Sequence, residues 1–155
     1  MLRRAILAAA AAAVFAGPAL AATTHYTARL SGQREVPKTD SKGTGTFDAT
    51  FDTKTKQLTY TLTFEGLSGP ATAAHLHGPA ARTETAGVVA PLGDKNPTSP
   101  VTGTLTLTDE QAKMLRGGKL YANVHTQASP AGEIRGQVVH ASRKKPATAE
   151  PANKS

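Results

Sequence analysis

Three stretches of this chain alternate apolar and polar residues with a period of two, a pattern that suits an extended strand with one buried face. In residues 46–52, Phe47, Ala49 and Phe51 fall on one side and Asp48, Thr50 and Asp52 on the other. Residues 58–64 set Leu58, Tyr60, Leu62 and Phe64 against Thr59, Thr61 and Thr63. Residues 101–108 set Val101, Leu105 and Leu107 against Thr102, Thr104 and Thr106. Threonine, branched at Cβ, suits the outer side of a pleated sheet. The polar run at residues 53–56 is a hairpin connection between the first two strands. Further strands are expected at residues 25–30, 73–77, 119–126 and 133–139. The fold class is therefore all-β, an antiparallel Greek-key sandwich or flattened barrel of about seven to eight strands. One short helix interrupts it. Thr108 is the expected N-cap with Gln111 three residues on, Asp109 and Glu110 suit the positive end of the helix dipole, and Gly117-Gly118 ends the turn. The helix is expected to lie across one end of the sandwich.

The 155 residues suffice for one domain, and the absence of Cys excludes disulfides, thiolate metal sites and cysteine nucleophiles. The formal charge of +7 is misleading as a whole. Residues 22–140 hold 12 basic and 10 acidic side chains, and the excess sits at the two ends. A basic nucleic-acid face is not indicated. Arg3 and Arg4 precede an apolar run at residues 5–16, then Gly17-Pro18 and Ala19-Leu20-Ala21. This is the pattern of a secretory signal over residues 1–21, too short for a bilayer span of about 20 residues. The expected location is periplasmic or secreted, with no stable membrane span after cleavage. Residues 141–155 contain no apolar side chain larger than Ala and read as a disordered basic tail. The domain proper is residues 22–140.

Chemistry concentrates in the histidines. His75-Leu76-His77 is a His-x-His on an expected strand, so both imidazoles share a face. In the strand at residues 119–126, Leu120, Ala122 and Val124 form one face, and Tyr121, Asn123 and His125 the other. With Leu76 and Val124 buried on neighbouring strands, His75, His77 and His125 gather on the opposite surface. Such a set of neutral imidazoles would take copper or zinc. The alternative is that the rings hydrogen-bond loop backbones and brace the turns at Gly78-Pro79 and residues 129–132. Ile134 and Val138 are expected inward, leaving Glu133, Arg135 and Gln137 outward, with Glu133 and Arg135 forming a surface ion pair. Arg135, Asn123 and Glu133 are the candidate contacts to an anion or other ligand. If the leader is cut after Ala22, Thr23-Thr24-His25 becomes an amino-terminal chelate for copper or nickel. Cleavage after Ala21, which the small residues at Ala19 and Ala21 favour, removes it. No nucleophile elbow, phosphate-binding loop or dinucleotide fingerprint occurs, and catalysis is not expected.

The runs Ala74-His75-Leu76-His77-Gly78-Pro79-Ala80, residues 118–126 (GKLYANVHT) and residues 130–138 (PAGEIRGQV) resemble the CHRD domain, named for chordin and found also in exported bacterial proteins. Residues 30–37 (LSGQREVP) and 105–108 (LTLT) are similar too, so the resemblance covers roughly residues 25–139. It implies a β-rich module outside the cytoplasm, one that binds or supports an extracytoplasmic protein or polymer. Chordin's own role as an antagonist of secreted signals belongs to an animal assembly and does not carry over. A weaker similarity, to Cu,Zn superoxide dismutase, rests on His75, His77, Val124-His125 and Arg135 in that order. It implies copper ligands and an anion-guiding arginine. The chain lacks a second His/Asp cluster, a cysteine pair and a clear fourth copper histidine, for which only His25 and His140 remain. A simplified copper site is what the similarity leaves, rather than a dismutase.

Overall fold

Each stretch of period-two alternation becomes a strand in the computed structural model, which describes residues 22–141. The expected leader and all of the expected tail except Ala141 lie outside those residues. The strands are β1 (Thr23–Ser31), β2 (Thr44–Asp52), β3 (Gln57–Glu65), β4 (Ala71–His77), β5 (Val88–Pro91), β6 (Val101–Thr106), β7 (Tyr121–Thr126), β8 (Ile134–Gln137) and β9 (Val139–His140). Their order in a single sheet is β5-β4-β7-β8-β1-β2-β3-β6, with β9 also on β1, and every pairing is antiparallel. Three connections, β3 to β4, β5 to β6 and β6 to β7, carry the chain between the two halves of that order. The sheet curls into a nearly closed barrel, the flattened-barrel form of the expected fold.

Nine strands form rather than seven or eight, for two local reasons. Residues 78–100, where no strand is expected, contain β5, which pairs with β4 through His75↔Pro91 and His77↔Val88. The last expected strand divides into β8 and β9, because Val138 leaves the ladder and bonds the Leu120 carbonyl.

Phe47, Phe51, Leu58, Leu62, Leu76, Val124, Ile134 and Val138 fill the interior. Between β6 and β7 the helix α1 (Asp109–Arg116) adds Ala112 and Leu115 to it. Its capping box forms as expected, with Thr108 N–H donating to Gln111 Oε1 (2.9 Å) and Gln111 N–H to Thr108 Oγ1 (3.2 Å). Gly118, at φ +62°, takes the left-handed turn that returns the chain to β7.

The seam between the two ends of the sheet is bridged by a side chain. Tyr60 of β3 packs inside, and its hydroxyl accepts the N–H of Gly93, just beyond β5 (3.0 Å). Replacing Tyr60 with Phe orphans that N–H and should lower stability by about 1–2 kcal/mol. Urea unfolding should show an earlier midpoint with an unchanged slope. An unchanged midpoint would mean the seam does not depend on this bond.

The outer wall has two halves. On β2, β3 and β6 it is open to solvent and carries threonine pairs, Thr46 with Thr63 (2.8 Å) and Thr59 with Thr104 (3.1 Å). On β4, β7 and β8 it is roofed by the segments following β1 and β4. Every residue of β7 and β8 is buried on both faces of the sheet. The expectation that Asn123, Glu133, Arg135 and Gln137 face solvent is therefore corrected: their side chains point outward from the barrel but lie beneath these loops. Nor do Glu133 and Arg135 form an ion pair. Among the described residues the salt bridge is Lys56 with Asp109 (2.6 Å), too exposed to contribute much.

Candidate metal centre

The register that roofs this half also assembles the histidines. β4 pairs with β7 through His75↔Asn123 and His77↔Tyr121, with His125 opposite Ala73. Leu76 and Val124 are fully buried in the interior, so His75, His77 and His125 occupy the opposite face together. One ring nitrogen from each lies within 4.8 Å of one from both others. Among the described residues this is the cluster suited to a metal ion. Metal–nitrogen bonds of about 2.0–2.1 Å place the ligand nitrogens of a tetrahedral site about 3.4 Å apart. The observed spread therefore closes only as the rings turn inward by about an ångström.

Hydrogen bonds fix the tautomers. His125 Nδ1 is 3.0 Å from the Pro130 carbonyl, and His77 Nδ1 is 3.0 Å from that of Ala86. A carbonyl only accepts, so each neutral ring carries its proton on Nδ1 and leaves Nε2 an unprotonated acceptor. His125 Nε2 accepts from His75 Nδ1 at 3.0 Å. His77 Nε2 is buried with no partner at all. Loop bracing by His77 and His125 uses Nδ1, so it is compatible with the expected metal ligation, which would use other nitrogens of the cluster. A backbone partner behind the His77 and His125 rings is the outer-shell arrangement that orients metal-binding histidines. Burial holds all three histidines below the ordinary 6.5; for His77 and His125 it outweighs the upward pull of the backbone bonds. The rings are neutral, as ligands must be, at and somewhat below neutral pH.

Around the cluster, the His77 ring stacks on Tyr121 at 4.9 Å and 7°. The Arg135 guanidinium lies 3.6 Å from the centre of the Tyr121 ring. Arg135 Nη2 donates to the Ala81 carbonyl (3.0 Å). Asn123 Nδ2 donates to Ile134 O (2.8 Å) and to Glu35, a buried acid that the sequence reading passed over. Glu35 stands alone between Arg34 and Val36 and carries no periodic signal. Gly132, at φ +137°, permits this contact, since a Cβ there would sit 2.6 Å from the Asn123 amide. Glu133 lies apart, accepting from Ser41, Ser68 and Thr126. His25 and His140 are also elsewhere, on β1 and β9, where His140 packs edge-on to Tyr26 (5.6 Å). Thr23, Thr24 and His25 are extended and paired with β2.

The arrangement defines a class: a nearly closed antiparallel barrel with a three-histidine cluster beneath loops on one outer wall. Residues 26–138 match the family model of the CHRD domain, and the chain belongs to that family. No curated protein and no solved structure matches it.

Proposed function

We propose that this protein is a non-catalytic CHRD module, acting in the periplasm or after secretion, that binds copper through His75, His77 and His125. The observation that carries the reading is the buried, unpartnered Nε2 of His77, oriented by the Ala86 carbonyl beside two further imidazoles. An orphaned buried acceptor is unfavourable unless something occupies it. An all-imidazole set favours copper, since Cu(II) stands above Zn(II) in the affinity order for nitrogen ligands. Three protein ligands also leave a coordination position open beside the half-buried His75. An exported location is supported by the leader-like residues 1–21; among the described residues no helix is long and apolar enough to cross a membrane. The partner would be an extracytoplasmic protein or polymer.

The test is titration of the metal-free full chain with Cu(II) and Zn(II) against a competing chelator. Near one equivalent of copper should bind, more tightly than zinc, with nitrogen couplings in the electron paramagnetic spectrum. Substoichiometric uptake of both metals would remove the reading.

A further inference from the structure

On the far side of Tyr121 from His77, residues 33–38 and 82–83 enclose a cleft of about 390 Å³ with Arg135 and Gln137 among its lining. Its size falls within the range of small-ligand sites. We propose that this cleft binds a small hydroxycarboxylate, independently of any metal at the histidines.

Charge comes first. Arg34, Lys38, Arg82 and Arg135 all line the cleft, and Glu35 is its one acid. The Glu35 carboxyl is tied to Asn123, and burial pushes it up to about 7, against the pull of Asn123 and Arg135. At neutral pH it leaves the four cations largely uncompensated. Arg34 is held ready by donating Nη1 to the Arg29 carbonyl (2.8 Å). Guanidinium groups match the planar, two-oxygen head of a carboxylate. Val36 and Pro37 add an apolar wall suited to a ligand body.

The second observation is independent of charge. Arg135 is 1% exposed and Gln137 9%. Gln137 Nε2 donates to Ala80 O (2.9 Å) and Gly118 O (2.8 Å), yet Gln137 Oε1 has no partner. Arg135 Nη1 likewise has none. With His77 Nε2 these complete the set of buried, unpartnered side-chain polar atoms among the described residues. One is a donor and one an acceptor. Both atoms sit behind the cleft wall, so a ligand reaches them as the Arg135 and Gln137 side chains turn toward it; one that complements donor and acceptor carries an oxygen acceptor and a hydroxyl donor, which is a hydroxycarboxylate.

The experiment uses the metal-free full chain, with mandelate as probe and backbone amide shifts as the readout. Mandelate should bind saturably, moving the amides of residues 33–38 (except Pro37, which has none) and 82–83. Methyl mandelate, without the charge, and phenylacetate, without the hydroxyl, should each bind about tenfold or more weakly. Arg82 is exposed, so Arg82→Ala leaves the fold intact and should weaken mandelate by about tenfold. Absence of saturable binding, shifts confined to other residues, or wild-type affinity in Arg82→Ala would overturn the assignment. So would equal binding of the ester, and equal binding of phenylacetate would remove the hydroxyl requirement.

Discussion

Replacing His77 with alanine should lower the copper(II) affinity of the full chain by at least about a hundredfold, since losing even an outer partner of a metal ligand costs about 10–100-fold. The expected size follows from position. His77 is buried, its Nδ1 is committed to Ala86 O, and its Nε2 has no other use among the described residues. Alanine also removes the ring stacked on Tyr121, so a stability loss could mimic a binding loss. His75→Ala separates the two. His75 is half-buried, bonds no backbone carbonyl and faces the cluster through Nδ1, so its loss should spare the fold while lowering affinity comparably. Protons compete with the metal for the same lone pairs, so affinity should fall with acid. Because all three rings are held below 6.5, most of that fall should come beneath the ordinary histidine range. Wild-type copper affinity in both variants would place the metal elsewhere and end the copper reading.

How far the site was legible depended on parity. Alternation decided that Leu76 and Val124 point inward, and the opposite face of β4 and β7 followed without further information. Alternation also assigned the inner residues of β2, β3 and β6, and capping chemistry placed α1. What alternation cannot carry is whether the outer face meets water. The roof over β7 and β8 comes from glycine- and proline-containing loops with no periodicity. It is held by contacts between distant positions: Asn123 to Glu35, Arg135 to Ala81, Gln137 to Ala80. Polar residues on a strand's outer side look the same in sequence whether solvated or roofed. The four residues of β5 were missed because they are too short to alternate and gain their strand character from the edge of β4. Tyr121 was within reach of the reasoning, since it shares the parity of Asn123 and His125. Its stacking on His77 depends on cross-strand register.

Glu133→Ala should destabilise the domain by about 3–5 kcal/mol, the upper range for a single substitution, through loss of a buried hydrogen-bonded anion. Glu133 is 1% exposed and accepts from four donors. Ser41 Oγ (2.7 Å) and Ser68 N–H (2.7 Å) reach Oε1, while Ser68 Oγ (2.6 Å) and Thr126 Oγ1 (2.5 Å) reach Oε2. Three separate segments are thereby tied to the start of β8, and alanine leaves the Ser68 N–H and three hydroxyls without their acceptor. Burial alone would raise the carboxyl's pKa, but the bonds from Ser68, Thr126 and Ser41 outweigh it and hold the group below its ordinary 4.5. A folded-state value below the unfolded one means the carboxylate stabilises the fold above about pH 4.5, and this stability is lost as acid carries the group through its folded value. Glu133→Gln keeps the volume and cannot ionise. At pH 7 the wild type should unfold at higher urea than the Gln variant, and the gap should narrow steadily below pH 4.5. A gap of constant size across that range would show that Glu133 acts through shape and not through its charge.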